Sequence, residues 1–215
     1  MPIEEDFVQD QIFRREWSVF PTVLRTAYAA VDELVKNNPL LQIESAEDNR
    51  GRLISWAVDK QLVTAIENGS ISCDYRWKPF AKPTGRYLEM RFAHSIATVS
   101  QTADPKIQPR NVVFRENARM NNQASFDLPE FAAPEISGLP HILLIHGHKW
   151  LNFAHFGIPA ADSKTKFNWR SSNLLDIPHL IEDDRPEPEH TDDALDEINL
   201  LKEEIEKWRR DNGDQ

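Results

Sequence analysis

Three histidines lie close together in the chain and have the chemistry to bind a divalent metal ion. His146 and His148 flank Gly147 in a stretch typical of a strand, so alternation would place both imidazoles on one face. His155 lies in the next predicted strand, and a hairpin could bring it near the other two. However, residues 149–161 contain no carboxylate to complete a ligand set. We therefore expect the histidines to be structural or exposed, and we predict no metal site.

Two acidic residues give a second candidate for metal chemistry. Asp74 precedes Glu89-Met90-Arg91, which lies on a predicted strand. The arrangement resembles metal-dependent nucleases of the restriction-enzyme class, which hold Mg²⁺ between an aspartate and the glutamate of a Glu-x-Lys strand. The resemblance covers three residues and implies catalytic roles for Asp74 and Glu89. Arginine replaces the lysine here and stays protonated. The alternative interpretation is a cross-strand pair on the surface.

The third candidate is a concentration of positive charge. Residues 76–119 contain nine Lys and Arg residues against three acidic residues, for a local charge of +6. We expect these basic residues to gather on one face of the sheet, with Arg86 and Arg91 pointing away from Leu88 and Met90. Such a surface would attract acidic protein or nucleic acid.

A second basic stretch, residues 164–170, also contains Phe167 and Trp169 and is predicted to be a loop. Aromatic and basic side chains together can stack on bases and neutralise phosphates. An acidic protein segment is the partner that we expect first, and nucleic acid is the alternative. The predicted basic surface comprises Arg86, Arg91, Arg110, Arg115, Lys164, Lys166 and Arg170.

Cofactor-binding motifs are missing from the sequence. The single cysteine, Cys73, excludes an intrachain disulfide and a zinc site built on cysteine clusters. No glycine-rich phosphate-binding motif occurs, and the chain has only seven glycines. We therefore predict no cofactor.

The elements that must position these residues begin with helices. Apolar residues recur with the helical period in three stretches: 4–17, 20–36 and 52–67. Pro21 suits a first helical turn, and Asn37-Asn38-Pro39 ends the second helix. Asn68-Gly69 suits a left-handed C-cap after the third. Residues 1–69 are therefore predicted to be helical.

The periodicity changes to that of strands after Gly69. Alternating or β-branched stretches predict strands at 86–92, 95–100, 110–115, 141–148 and 151–156. The last two are separated by Lys149-Trp150, which predicts a tight hairpin. Residues 117–140 are predicted to be a long loop. Helices first and strands later indicate an α+β body over residues 1–180, with a β-rich part at 70–180 and a mostly antiparallel sheet.

The end of the chain differs in character. Residues 181–215 contain 14 acidic and five basic residues and carry −9 of the formal charge of −10. Residues 181–190 form an acidic linker with prolines, and residues 191–215 are predicted to form a tethered amphipathic helix. Its heptad-like seam predicts partner-binding residues Ile198, Leu201, Ile205 and Trp208. We expect self-association or capture of a protein partner, and docking onto the chain's own body is the alternative.

The composition and the first residues of the chain limit its possible cellular location. The chain is 40% hydrophobic and 28% charged, as in ordinary globular proteins. Its start, MPIEEDFVQD, lacks a signal-peptide pattern, and no apolar run is long enough to cross a membrane. We expect a soluble cytoplasmic protein, non-catalytic and interacting or regulatory. The alternatives are a metal-dependent nuclease or hydrolase and a non-catalytic nucleic-acid-binding protein.

Overall fold

The computed structural model describes residues 3–80, 85–110, 112–122 and 138–178, and the structural statements below concern these residues. In chain order the helices and strands are α1 (Ile3–Gln11), α2 (Val19–Asn37), α3 (Glu44–Glu47), α4 (Arg50–Glu67), β1 (Asp74–Pro79), β2 (Arg86–Arg91), β3 (Ile96–Thr102), α5 (Val113–Met120), β4 (His141–Gly147), β5 (Ala154–Pro159) and β6 (Phe167–Arg170). Short 3₁₀ helices lie at Arg14–Glu16, Pro39–Leu41 and Leu174–Asp176.

The N-terminal helices follow the predicted pattern. Helix α2 buries one apolar stripe that includes Phe20, Leu24 and Val31. The first helix, predicted over residues 4–17, is shorter than expected. Helix α1 ends at Gln11, and the 3₁₀ helix Arg14–Glu16 follows it. Helix α4 is followed by Gly69 at φ 77°, the left-handed conformation expected of a C-cap glycine.

The six strands form one sheet in the order β1-β2-β3-β4-β5-β6. Neighbouring strands are antiparallel except β3 and β4, which are parallel. The prediction of an α+β protein with a mostly antiparallel sheet is therefore confirmed. The antiparallel pairing of β4 and β5 is also confirmed, but the tight two-residue turn is wrong: residues 148–153 connect the strands, with Lys149 at φ 64°.

The strand predicted at 110–115 is wrong. Val112 is the last extended residue, and α5 begins at Val113. Strand β3 runs parallel to β4, and a parallel pair needs a crossover connection that is usually helical. Helix α5 lies in this connection, so the topology overrides the strand propensity of Val112-Val113-Phe114.

The two faces of the sheet differ. On one, here called the helix-covered face, Met90, Leu144 and Phe156 are buried in the main core with α1, α2 and α4. Trp17 and Phe20 both contact the Phe156 ring edge-on, at centroid distances of 5.3 and 4.9 Å. The other, here called the α5 face, carries α5 and a smaller apolar cluster of Leu143, Ile145, Phe153 and Phe167.

No helix within the described ranges is long and apolar enough to cross a membrane.

Candidate functional site

A groove of about 510 Å³ opens between α4 and the edge of the sheet, and we call it the tryptophan groove. It is lined by Trp56, Asp59, Lys60, Val63, Trp77 and Arg86. The four α4 residues follow an i, i+3, i+4, i+7 spacing, which places them on one side of the helix. Trp77 lies opposite Leu88 in the register of β1 and β2, so both belong to the helix-covered face.

The two tryptophans of the groove are exposed. Trp56 is 61% exposed and Trp77 is 41% exposed, whereas the core tryptophan Trp17 is 1% exposed. An exposed tryptophan leaves a large apolar surface in water, and two on one concave surface are a feature of binding sites rather than of cores.

The two cations of the groove have no ionic partner among the residues that the structure describes. Lys60 and Arg86 are exposed, and neither forms an ion pair with an acidic residue in the described part of the chain. Burial raises the pKa of Asp59 from 3.8 to about 7. A fraction of the Asp59 carboxyl groups is therefore neutral near pH 7. The groove is then positively charged and apolar, a combination that suits an acidic, apolar partner.

The basic residues predicted to share one face are divided between both faces. Arg86 is two residues from Leu88 on the same strand, so it lies on the helix-covered face; the expectation that it points away from Leu88 is wrong. Arg91 lies opposite Asp74 on the α5 face. Arg110 is exposed, whereas Arg115, a residue of α5, is half-buried and donates to Ser100 Oγ.

The basic stretch near residue 167 also differs from its prediction. Phe167–Arg170 form strand β6 rather than a loop. Phe167 packs on the apolar cluster of the α5 face and Trp169 on the main core, so neither ring is free to stack on a base. Lys164 pairs with Glu116 at 3.3 Å, Lys166 is exposed, and the Arg170 guanidinium donates to the Pro105 carbonyl.

Asp74 and Glu89 lie on the same face of β1 and β2 but have cationic neighbours. The Glu89 carboxylate is 3% exposed and pairs with Lys78 Nζ at 2.9 Å. Within the described ranges, no three His, Cys, Asp or Glu side chains form a group suited to a metal ion. The structure thus gives Glu89 a lysine partner, and the metal-dependent hydrolase stays an untested prediction.

The three histidines do not converge. The Nδ1 atom of His146 lies 2.7 Å from the Tyr28 hydroxyl on the helix-covered face, and burial lowers the pKa of His146 to about 4. His148 is exposed, with Nδ1 3.1 Å from Gln101 Oε1. His155 is buried on the α5 face, because it pairs in register with Ile145 rather than His146. The hairpin therefore separates His155 from the other two.

Cys73 is free, and its thiol is held in the neutral form. Burial, together with the nearby Glu16 and Asp74 carboxylates, raises the pKa of Cys73 to about 12. A nucleophilic role needs a thiolate, so the structure agrees with a packing role for this side chain.

Sequence reasoning singled out Arg86, as part of the predicted basic surface, but missed the two tryptophans of the groove. Trp56 lies outside the apolar stripe of α4, formed by residues such as Ile54, Val58 and Leu62. A tryptophan off the buried stripe of an amphipathic helix is a signal that could have marked the surface. Trp77 gave no such signal, because strand β1 was not predicted. The predicted partner-binding residues Ile198, Leu201, Ile205 and Trp208 lie outside the described residues.

Comparison of the chain with protein-family models, curated proteins and solved structures found no match in any of the three.

Proposed function

We propose that the chain is a non-catalytic interaction protein that acts through protein–protein contacts, with the tryptophan groove as its docking surface. The observation that carries the proposal is the convergence of Trp56, Trp77 and Arg86 on one open groove. Tryptophan and arginine are enriched among the residues that dominate binding energy at protein interfaces. A regulatory role and a cytoplasmic location belong to the same proposal.

The groove favours a partner segment that presents large apolar side chains beside acidic ones. Apolar side chains would cover the two indoles, and carboxylates would pair with Lys60 and Arg86. Residues 191–210 of a second copy have this chemistry, because they combine the predicted apolar seam with seven acidic residues against four basic ones. The proposed occupant is therefore this segment of another molecule, which makes the protein self-associating.

The segment itself supplies an independent reason for association. Burial of Ile198, Leu201, Ile205 and Trp208 would contribute roughly 1.5–3 kcal/mol each. The helix predicted over these residues would be marginal in water by itself, so its predicted apolar seam would need protein to cover it. The groove of a neighbouring molecule offers both an apolar surface and the complementary charge.

A second candidate function, single-stranded nucleic-acid binding, is favoured by one observation. Trp56 and Trp77 can stack on bases while Lys60 and Arg86 contact phosphates. Anisotropy of a labelled oligonucleotide, measured at two salt concentrations, distinguishes this function. Binding that requires both tryptophans and weakens steeply with salt would support nucleic acid over protein.

The experiment that tests the proposal is sedimentation equilibrium of the full chain over a hundredfold range of concentration. The variant Trp56→Ala/Trp77→Ala should weaken self-association by roughly 30-fold or more, because truncation of an interface hot spot costs about 2 kcal/mol or more. The control is Trp150→Ala, since Trp150 is 67% exposed but does not line the groove. Equal association of both variants would overturn the proposal that the groove is the docking surface.

A further inference from the structure

A second cavity, of about 270 Å³, is lined by residues of β1, β2 and β3 together with residues of helix α5, and we call it the α5 cavity. It lies on the α5 face of the sheet, whereas the tryptophan groove lies on the helix-covered face. A cavity that combines aromatic side chains with a few polar groups is the usual setting of a small-molecule site. The two places share no lining residue, so a ligand of the α5 cavity is independent of the proposed function.

The register of the strands brings four lining residues of the cavity together. Lys78 lies opposite Tyr87, and Glu89 lies opposite Thr98. Tyr87 and Glu89 are two residues apart on β2, so all four side chains belong to the same face of the sheet. Lys78 Nζ lies 2.9 Å from Glu89 Oε2. The strands therefore place an ion pair beside a hydroxyl group and an aromatic ring.

Helix α5 and the residue that follows it contribute the rest of the lining. Phe114, Asn117, Ala118 and Asn121 follow an i, i+3, i+4, i+7 spacing, which places them on one side of the helix. The Phe114 ring stacks on the Tyr87 ring, with centroids 4.0 Å apart and an interplanar angle of 18°. The cavity thus combines the ion pair of the strands with two primary amides and a pair of aromatic rings.

Polar atoms of the cavity are available to a ligand. Glu89 is 3% exposed, and its ion pair with Lys78 uses Oε2. Within the described ranges, no hydrogen bond is made to Glu89 Oε1 or by the side-chain amide of Asn117. Asn121 Nδ2 donates to the Leu139 carbonyl at 3.2 Å, which leaves its Oδ1 as an acceptor. A buried carboxylate oxygen needs a donor, because burial without one costs free energy.

The charges and shapes of these groups define the class of ligand. Lys78 and Glu89 are the charged residues of the lining and compensate each other, so the cavity favours an uncharged ligand. Glu89 Oε1 requires an N–H donor, whereas the Asn117 amide can both donate and accept. The flat rings of Tyr87 and Phe114 favour a planar ligand. An uncharged heterocycle that carries an amino group beside a ring nitrogen has all of these properties.

We infer that the α5 cavity binds a nucleobase with an exocyclic amino group, of the cytosine or adenine type. The amino group would donate to Glu89 Oε1, and the adjacent ring nitrogen would accept from the Asn117 amide. Both pairings have precedents in protein–DNA recognition, where carboxylates accept from the cytosine amino group and asparagine pairs with the adenine edge. A volume of about 270 Å³ lies just below the range of drug-sized ligands, about 300–1,000 Å³, so it suits one base. The base can be free or part of a nucleotide.

Isothermal titration of the full-length protein with cytosine and with adenine tests the inference, and uracil, which lacks the amino group, is the control ligand. We expect saturable binding of one base per chain for at least one of the two, with an affinity about tenfold higher than that for uracil or more. Equal affinity for uracil would contradict the role of Glu89. Tighter binding of the corresponding nucleoside 5′-monophosphate would identify a nucleotide as the ligand, and equal or weaker binding would identify the free base.

Two variants test the residues that recognise the base. Asn117→Ala should weaken binding roughly threefold or more, because one hydrogen bond is lost, and Asn117 is exposed, so the variant should fold. The control is Met120→Ala, at a residue of α5 that is 46% exposed and does not line the cavity. Glu89→Gln should remove the preference over uracil, because a glutamine amide can donate to the uracil carbonyl.

Three further results would overturn the inference. The first is wild-type protein that shows no saturable binding of cytosine or adenine, a result that does not depend on any variant. The second is equal binding of the base by Asn117→Ala and Met120→Ala. The third is loss of binding in Trp56→Ala/Trp77→Ala, which would place the base in the tryptophan groove. We expect this double variant to bind the base like the wild type even though its self-association is weakened.

Discussion

Trp56 of α4 and Trp77 of the edge strand β1 line one groove, and the two residues are 61% and 41% exposed. The helix contributes its ring from a position outside its buried stripe, and the strand contributes its ring beside the core residue Leu88. This pairing is the basis of the proposed function. It also places Asp59, a mostly buried carboxyl, next to two exposed cations.

Asp59→Asn should stabilise the protein at pH 8. The pKa of Asp59 is about 7 in the folded state and ordinarily 3.8. Between these values the folded state keeps a proton that the unfolded state has lost, so the free energy of unfolding falls as the pH rises from about 4 to 7. At pH 8 the raised pKa lowers the free energy of unfolding by about 4 kcal/mol at most, and the partial exposure of Asp59 makes the loss smaller. Urea unfolding at several pH values measures it.

The control for this prediction is Asp162→Asn, at an exposed position, which should leave the pH profile unchanged. Self-association should strengthen as the pH falls through 7 in the wild type, because the groove loses a negative charge that repels an acidic segment. It should be nearly independent of pH in Asp59→Asn. A variant with the wild-type profile would show that Asp59 does not carry this effect.

Tyr28→Phe should destabilise the protein by about 1–3 kcal/mol. The buried Tyr28 hydroxyl lies 2.7 Å from His146 Nδ1 and donates to the Gly147 carbonyl, so its removal leaves two buried polar groups without a partner. The control is Tyr75→Phe, whose hydroxyl bonds to Glu67 in an exposed position and should change stability by less than about 1 kcal/mol. Chemical denaturation compares them, and an equal effect of both variants would contradict the account.

His155→Leu should be neutral or stabilising and should improve stability in acid. His155 is 3% exposed, its Nε2 has no partner within the described part of the chain, and its ring contacts the rings of Phe153 and Phe167. Burial, with the Arg170 charge, lowers its pKa from 6.5 to about 4. Below pH 6.5 the unfolded state therefore binds the proton first, and stability is lost as the pH falls toward 4.

Leucine at position 155 removes the group whose proton binding favours the unfolded state. The free energy of unfolding of this variant should therefore fall less between pH 6.5 and 4 than that of the wild type. The exposed His148, changed to Gln, serves as the control and should keep the wild-type profile. Denaturant titrations across this pH range measure the free energy of unfolding of both variants and of the wild type. A steeper loss in His155→Leu would mean that the buried imidazole has an unrecognised partner.

Much of the fold follows from local sequence patterns, whereas the site does not. Periodicity alone predicts α2 and α4, because each buries one stripe of apolar side chains. Helix α5 was missed because its position depends on the crossover between parallel strands, a long-range relationship. The groove needs the register of β1 and β2 and the packing of α4, and no local pattern around Trp77 or Arg86 contains that information.

Gly147→Ala should destabilise the protein by more than about 2 kcal/mol. A Cβ atom at this position would lie 2.0 Å from the Trp150 carbonyl oxygen and 2.2 Å from Asn152 Oδ1, so the connection between β4 and β5 would have to move. The control is Gly69→Ala, which meets no atom within 4 Å but has φ 77° and should cost about 1 kcal/mol. Thermal unfolding compares the two variants. A smaller loss of stability for Gly147→Ala than for Gly69→Ala would contradict the tight packing around Gly147.

The central claim, that the groove of one molecule receives the acidic segment of another, is tested most directly by exchange of charges. One full-length variant carries Lys60→Glu and Arg86→Glu, and the other carries Glu203→Lys and Glu206→Lys. Each variant alone should associate less than the wild type, because its groove and its segment then have like charge. In an equimolar mixture every groove meets a segment of opposite charge, so sedimentation should show a heterodimer. Two variants that stay apart when mixed, or that each associate alone like the wild type, would contradict the claim.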